Sequence, residues 1–404
     1  MFSRTLCLAP PVALLVLASG AAGQTEVVPP SAELFPEPAV GFDEFGIALA
    51  LDGERMLVGA RGAEQNEFAY VFAHRDGNWI QEARVGGSAF SEFGLAVALS
   101  GEHFAVGAPM ECGPGRCDVY RRVGDVWELD AVLTQPVGGF GYALALDGDT
   151  LLVGACSFFA PVTRAVFVYV RGRAGWTLQA VLQPSSPFPF LYFGDQLALD
   201  GDTAVVGGYL GTSTSVRAAL FVFQREGEKW RQTAHLTHGG ANGPSFLVDL
   251  DLDGDELVTS LATPTGSGLF VSERKGAGWG ALGRIPVTLA GRVHKLFPEC
   301  SLALAGGTLV TGTFPDLGSG ETPRRSMVLE RVDRGWSPAV VLGPPEGESD
   351  DGFGLSVAVD RDRVAVGAPW RSHRGVQSGA VYVYELAPAR AAAVPVGPRS
   401  SRSP

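Results

Sequence analysis

The sequence lacks several features that would place it among enzymes, nucleic-acid-binding proteins or membrane-spanning proteins. It contains no Gly-x-Ser-x-Gly elbow, no His-Glu-x-x-His pair and no phosphate loop that ends in Gly-Lys. Only three lysines are present and the formal net charge is −12, so the acidic surface should repel phosphate backbones. No stretch reaches the roughly 18 unbroken apolar residues that a membrane-spanning helix needs. These absences leave catalysis without support and argue against a nucleic-acid partner or a transmembrane segment.

The N-terminal residues have the pattern of a secretory signal peptide. A single cation, Arg4, precedes an apolar run over residues 11–17 and small residues over 21–23. We therefore expect a leader at 1–23 and a protein secreted to the periplasm or the extracellular space. Cys7 precedes the apolar run, so it is misplaced for the acylated cysteine of a lipoprotein.

Composition predicts an all-β domain over residues 24–386 and a disordered Pro, Ala and Arg tail over 387–404. The leader and tail contain four arginines and no acid, which leaves 27 basic and 43 acidic residues in the domain, about −16. The chain has 54 glycines and 27 prolines between strand-forming runs, which is typical of many short strands joined by tight turns.

A sixteen-residue pattern repeats along the chain and sets the fold. The segment FGIALALDGERMLVGA, which begins at Phe45, is the first of seven copies. The fifth and sixth of the seven are the weakest. One apolar position common to all copies is occupied by Leu51, Leu99, Leu146, Leu199, Leu252, Leu304 and Val359. Their spacings of 48, 47, 53, 53, 52 and 55 residues are those of propeller blades.

Each copy predicts one four-stranded antiparallel blade. Two apolar runs flank a short turn such as Asp52-Gly53, a third run such as 70–72 follows, and a fourth begins at a tryptophan. The fold class is therefore a seven-bladed β-propeller. The seventh copy has no fourth strand, and residues 32–35 resemble the fourth strand that begins at 129. We predict that this N-terminal strand closes the ring and removes the open sheet edges.

The repeat resembles the FG-GAP repeats of integrin α-subunit propellers and of many secreted bacterial proteins. A Phe-Gly pair stands six residues before the shared Leu or Val in five copies, and a second glycine stands eight residues after it in six. The resemblance covers roughly residues 31–386. It implies a β-propeller with roles in protein binding and cell adhesion.

Calcium is the one cofactor that the resemblance raises. Integrin-type propellers often carry an Asp-rich calcium loop between the first and second strands, where this chain has a two-residue turn. The exception is Asp249, Asp251 and Asp253, followed by Gly254, which resembles the start of a calcium loop. In register, Asp249 and Asp251 fall on the first strand, so the alternative is a solvated or channel-facing acidic strand. We expect no cofactor.

Cysteine and histidine positions suggest a disulfide rather than a metal site. Cys112 and Cys117 flank a short loop and are predicted to form a disulfide in an oxidising compartment, the alternative being two reduced thiols. Cys156 and Cys300 fall in different blades and are expected to be unpaired. His235 and His238 lie an odd number of residues apart on one strand, which directs them to opposite faces.

The tryptophans can be interpreted either as packing residues or as binding residues. Those at positions 79, 127, 176, 230, 279 and 336 begin fourth strands, which favours blade packing over sugar stacking. Trp370 instead begins WRSHRG, a basic segment that we expect to form an exposed loop in this acidic protein. We predict a binding patch of Trp370, Arg371, His373 and Arg374, with an ordinary polar loop as the alternative.

Three functions are compatible with the sequence. The first is a non-enzymatic binding or adhesion module, expected to be monomeric, which recognises a protein or glycan of the cell envelope or matrix through loops at one end of the ring. The second is a structural component of the envelope. The third is a hydrolase with carboxylates such as Asp249 and Asp251 at the mouth of the central channel. The first is the prediction.

Overall fold

The computed structural model describes residues 27–39, 41–62, 67–110, 114–156, 164–185, 190–212, 215–237, 245–263, 268–276, 278–286, 288–289, 292–293, 301–313, 324–332, 335–344, 351–372 and 374–386. Within these ranges every regular element is a β-strand, and the strands form seven blades around a central channel. The predicted propeller is confirmed. Among these residues no helix is long and apolar enough to cross a membrane.

Two short strands precede the first blade, and the first four blades then follow one another as antiparallel meanders. The early strands are β1 (Val27–Val28) and β2 (Ala32–Leu34). Blade one has β3 (Phe45–Asp52), β4 (Arg55–Ala60), β5 (Phe68–Arg75) and β6 (Asn78–Gly86); blade two has β7 (Val97–Ser100), β8 (His103–Ala108), β9 (Arg116–Val123) and β10 (Val126–Thr134). Blade three has β11 (Phe140–Asp147), β12 (Thr150–Cys156), β13 (Arg164–Gly172) and β14 (Gly175–Leu182); blade four has β15 (Phe190–Asp200), β16 (Thr203–Thr212), β17 (Ser215–Glu226) and β18 (Lys229–Thr237).

The last three blades are less regular. Blade five has β19 (Phe246–Asp253), β20 (Glu256–Ala262), β21 (Gly268–Lys275) and a fourth strand divided into β22 (Gly278–Trp279) and β23 (Gly283–Ile285). A small hairpin follows, β24 (Thr288–Leu289) with β25 (Arg292–Val293). Blade six has β26 (Leu302–Ala305), β27 (Thr308–Thr313), β28 (Arg325–Val332) and β29 (Gly335–Leu342); blade seven has β30 (Val357–Asp360), β31 (Arg363–Ala368) and β32 (Ala380–Glu385).

The N-terminal segment closes the ring as the sequence predicts. Strand β2 pairs antiparallel with β32, with Leu34 opposite Val381, and so supplies the fourth strand of blade seven. Strand β1 adds a contact that the sequence did not indicate, because it pairs in parallel with β29 at the outer edge of blade six. One segment thus covers the outer edges of two neighbouring blades.

The two glycines of the repeat are explained by a backbone contact between blades. A methyl group on the second glycine of a blade would collide with the carbonyl oxygen of the Phe-Gly glycine in the next blade. These pairs are Gly59 with Gly94, Gly107 with Gly141, Gly154 with Gly194, Gly312 with Gly354, and Gly367 with Gly46. The five Phe-Gly glycines have φ between 84° and 95°, a region that side chains rarely adopt. At these junctions only glycine allows the blades to pack so closely.

The hydrophobic core lies between the blades. The buried described side chains form seven clusters, and each cluster joins residues of two neighbouring blades. Indole N–H groups add hydrogen bonds across the same junctions: Trp127 donates to Glu82 at 3.4 Å and Trp176 to Asp130 at 3.0 Å. These contacts support the packing interpretation of the repeated tryptophans over sugar stacking.

Side chains at the first-to-second turns tie neighbouring blades together at the opposite end from the variable loops. Each acceptor is the last residue of a first strand, and each donor is the turn glycine N–H of the next blade. The pairs are Asp52 with Gly101, Ser100 with Gly148, Asp147 with Gly201, Asp200 with Gly254, Asp253 with Gly306, and Asp360 with Gly53, at 2.5–3.0 Å. The aspartate of the Asp-Gly turn is therefore a link between blades as well as a turn residue.

The glycine contact predicts the effect of a single methyl group. We expect Gly107→Ala to lower the free energy of unfolding by about 3 kcal/mol, because its Cβ meets backbone rather than a movable side chain. Denaturant unfolding of the purified protein measures the change. Gly172→Ala is the control, since no heavy atom lies within 4 Å of its added Cβ. Equal destabilisation by the two variants would contradict the account.

Candidate functional site

The connections between blades, and those between second and third strands, gather at one end of the ring, which we call the loop face. The sequence places recognition in loops 111–116, 157–164, 209–217, 316–325 and 370–378. Residues 111–113, 157–163, 213–214, 314–323 and 373 lie outside the described residues. The loop face is therefore most fully described where blades seven, one and two meet.

These three blades share one turn just before the Phe-Gly pair. The residue two positions before the phenylalanine is Asp43, Ser91 or Asp351, and all three are at most 2 % exposed. Their backbone carbonyl oxygens accept hydrogen bonds, at 2.9–3.1 Å, from the residue that stands two positions after the alanine of the Gly-Ala pair in the same blade. The donors are the backbone N–H groups of Gly62, Met110 and Trp370. Closure by β2 makes blade seven a neighbour of blade one, so the three turns are adjacent.

The turns of blades one and two hold phenylalanines in a strained backbone conformation. Phe42 has φ 61° and Phe90 has φ 63°, in the left-handed region that costs a bulky residue about 1–2 kcal/mol. Their side chains gain little from this conformation, since they are 49 % and 67 % exposed. Strain of this kind persists only where the surroundings impose it.

Buried polar contacts impose the turn conformation. The Tyr70 hydroxyl donates to the Asp43 carboxylate at 3.0 Å in blade one. In blade two the Glu67 carboxylate, 4 % exposed, accepts the backbone N–H groups of Ser91 at 3.0 Å and Phe93 at 3.1 Å. Each turn is therefore anchored from beneath while its phenylalanine points outward.

The exposed side chains form an apolar loop-face patch, which consists of Phe42, Phe90, Met110 and Val376. Met110 is 46 % and Val376 59 % exposed. The Phe42 N–H donates to the Val376 carbonyl at 2.7 Å, which joins blades one and seven. Phe90 and Met110 line one depression of about 430 Å³. The four residues thus come from three neighbouring blades.

Charged groups border the same depression. Glu44, Arg61 and Glu92 line it, and Arg61 pairs with Glu44 at 2.9 Å. Because this pairing neutralises the arginine, Glu92 leaves the border acidic. The protein's overall charge of −12 has the same sign.

The predicted patch of residues 370–374 is only partly exposed. Trp370 is half-buried, and the Arg324 guanidinium lies 5.3 Å from its ring centroid. The expectation that Arg371 is exposed is wrong: it is 5 % exposed. Its charge lies inside the loop, close enough to Tyr382 to lower that residue's pKa, although burial dominates and raises it. Arg374 is exposed with its guanidinium 4.4 Å from the Phe35 ring centroid. His373 lies outside the described residues.

The central channel is the second concave site. First strands of all seven blades line a cavity of about 680 Å³ that contains Asp195, Asp249 and Asp251. The Asp249 carboxylate accepts the N–H groups of Leu250 and Leu302, both at 2.9 Å. Asp251 accepts those of Leu252 and Leu304, both at 2.8 Å. Both aspartates therefore link blade five to blade six.

Burial raises the pKa of the channel carboxyls. It raises the pKa of Asp195 and of Asp249 to about 6, and that of Asp251 to about 7, against an ordinary value of 3.8. Backbone N–H groups lower all three pKa values but are outweighed.

Comparison with known proteins agrees with the blade geometry. A family model described as FG-GAP repeat matches residues 336–384, from the fourth strand of blade six to the third strand of blade seven. The glycine contact found in blade seven, between Gly367 and Gly46, recurs at four other junctions. The chain is therefore a seven-bladed β-propeller that contains an FG-GAP repeat. No curated protein matches it.

The structure separates the three aspartates that resemble the start of a calcium loop. Asp249 and Asp251 lie on the channel wall, whereas Asp253 binds the Gly306 N–H at the turn. Among the described residues no group of three or more His, Cys, Asp or Glu side chains converges as a metal site.

The described cysteines are buried in the blades. Cys117 is a buried thiol on β9 and Cys156 a buried thiol on β12, and neither forms a disulfide with a described residue. The Cys112–Cys117 disulfide is therefore not confirmed, and Cys112 lies outside the described residues. His235 stacks on Phe221 with centroids 5.0 Å apart. His238 and Cys300 lie outside the described residues, as do the leader (1–23) and the tail (387–404).

The channel predicts a pH dependence of stability. Between about pH 4 and pH 7 the native state holds protons on Asp249 and Asp251 that the unfolded chain has released, so this contribution to stability falls as the pH rises. The Asp251→Asn side chain cannot ionise. We therefore expect the free energy of unfolding of this variant, relative to that of the wild type, to rise by about 1.4 kcal/mol or more between pH 5 and pH 8, which is the free energy of one pKa unit. Denaturant unfolding at the two pH values measures this. A difference independent of pH would contradict it.

Proposed function

We propose that this propeller is a secreted, non-enzymatic scaffold that binds a protein partner through the apolar loop-face patch. The observation that carries the proposal is the pair of strained, outward phenylalanines. Phe42 and Phe90 adopt positive φ without burying their side chains, so they weaken the free protein. A conformational cost without a gain in the free state is explained if the gain comes on binding.

The chemistry of the patch favours a protein segment over a glycan. Sugars are bound by aromatic faces beside several free hydrogen-bonding groups, whereas the patch consists of Phe, Met and Val, and its one arginine is paired with Glu44. Aromatic and Met side chains are enriched in protein interfaces. The acidic border and net charge of −12 favour a partner whose apolar side chains are flanked by lysine or arginine.

The loop predicted from sequence contains Val376 of this patch, and in it Trp370 is half-buried and Arg374 is exposed. Their role in the proposal is to extend the contact surface beyond Val376. Catalysis has less support, because both channel aspartates on blade five have a structural role, in which they accept backbone N–H groups of blades five and six.

A double variant separates binding from folding. In Phe42→Gly/Phe90→Gly the left-handed backbone is retained without strain, so we expect the free energy of unfolding to rise by about 1 kcal/mol or more. Peptides are first selected on the full secreted chain from a random phage library, and we expect apolar residues flanked by Lys or Arg. Their affinity, measured by fluorescence anisotropy, should fall at least tenfold in the variant.

Ile80→Ser is the matched control, since Ile80 is 49 % exposed like Phe42 but lies on the outer strand β6. It should leave peptide affinity unchanged. Selected peptides that bind the glycine variant as tightly as the wild type would overturn the proposal. Capture of oligosaccharides, lost in the glycine variant, would replace the protein partner with a glycan.

A further inference from the structure

The channel wall is acidic on one side only. Position six of the first strand is alanine in six blades, at 50, 98, 145, 198, 303 and 358, but Asp251 in blade five. Position four is Ala, Gln or Ser in the other blades but Asp249 in blade five. Position three is apolar or aromatic in the other described blades but Asp195 in blade four. Three carboxyls on two adjacent blades thus face a wall of Ala, Leu, Ile and Val side chains.

Two of these carboxyls have a structural explanation. Asp249 and Asp251 accept the N–H groups of Leu302 and Leu304 from the inner edge of β26, which no strand covers. Their bonds hold the short first strand of blade six against blade five. Their carboxyl groups nevertheless remain on the channel wall.

Asp195 has no such explanation. Its carboxylate makes no hydrogen bond with another side chain, its Oδ1 is shielded from solvent without a hydrogen-bond partner, and the residue lines the cavity. Backbone N–H groups of Asp195 and Gln196 lower its pKa, but burial outweighs them, and a shielded carboxylate oxygen without a hydrogen-bond partner is costly. No lysine, arginine or histidine lines the cavity among the described residues, so no described cation of the chain balances the three carboxyls.

The geometry of the channel distinguishes a metal ion from an organic cation. The described acidic side chains do not converge in a group of three that could hold a metal ion. A cavity of about 680 Å³ is instead of the size that holds small organic molecules. Its apolar side suits an aliphatic chain, and its acidic side suits ammonium groups.

We propose that the channel binds a small aliphatic amine, whose ammonium groups lie against Asp195, Asp249 and Asp251 and whose hydrocarbon chain packs on the Ala and Leu wall. Free diamines and polyamines share this chemistry with the lysine side chain of a peptide. The site is separate from the loop-face patch, so the inference does not rest on the proposed function.

Proton release gives the site a signature. Because burial raises the pKa of the three carboxyls, a bound ammonium ion would lower those pKa values and expel protons. Binding is therefore expected to be tight near pH 8 and at least tenfold weaker near pH 5.

The test is calorimetric titration of the full secreted chain at pH 8 with 1,5-diaminopentane, spermidine, Nα-acetyl-lysine amide, 1,5-pentanediol and calcium chloride. We expect saturable binding of at least one of the three amines, with a heat that varies with the ionisation enthalpy of the buffer, and none of the diol. Binding of acetyl-lysine amide alone would identify a peptide lysine as the source, and binding of the free amines alone a metabolite.

Asp195→Asn should weaken amine binding at least tenfold, and Asp195→Glu should restore part of it. Asp253→Asn is the matched control, because Asp253 lies in blade five but at the turn outside the channel. Circular dichroism at the titration temperature checks that each variant is folded. The proposal is overturned if no amine binds at pH 8, if folded Asp195→Asn binds as the wild type does, or if calcium binds in place of the amines.

Discussion

The contact of one glycine backbone with another across each regular blade junction is the constraint on which the rest of the structure depends. At five junctions the second glycine of one blade packs against the Phe-Gly glycine of the next so closely that a methyl group would not fit. This distance lets the Phe-Gly phenylalanines, all at most 1 % exposed, fill the clusters between blades. Where one of the two glycines is replaced, other contacts join the blades. Leu247 packs on Gly207 at the junction of blades four and five, and Asp249 and Asp251 link blades five and six.

Because this constraint fixes the strands, differences between blades are concentrated in the loops and on the channel wall. The ring brings the turns of blades seven, one and two together, although residues 34 and 353 are far apart in the chain. Two departures from the repeat have no structural gain of their own: the strained phenylalanines at that place, and Asp195, a carboxyl where the other described blades have an apolar or aromatic residue. Each marks a separate proposed site.

Sequence alone predicts the ring, its seven blades and its closure by residues 32–35, because the repeat period and the Phe-Gly offsets are local patterns in the sequence. It does not predict β1, since a two-residue parallel pairing has no pattern of its own. Nor does it predict that Phe42 and Phe90 point outward, because phenylalanine is ordinarily buried and its φ is set by Asp43 and Glu67 beneath the turns. Arg371 shows the converse, a charge expected outside that the loop encloses. The GFDEFG and AFSEFG segments were the available signal, since both add a phenylalanine that the repeat does not require.

Hydrogen exchange measured by mass spectrometry, with and without a peptide selected by the protein, tests the central claim most directly. Binding through the apolar loop-face patch predicts slower exchange in segments 41–46, 89–94 and 370–379, which carry or adjoin Phe42, Phe90 and Val376. Segments of the outer strands β6 and β14 should exchange at unchanged rates. Protection confined to blades four and five, or absent from all three patch segments, would contradict the account.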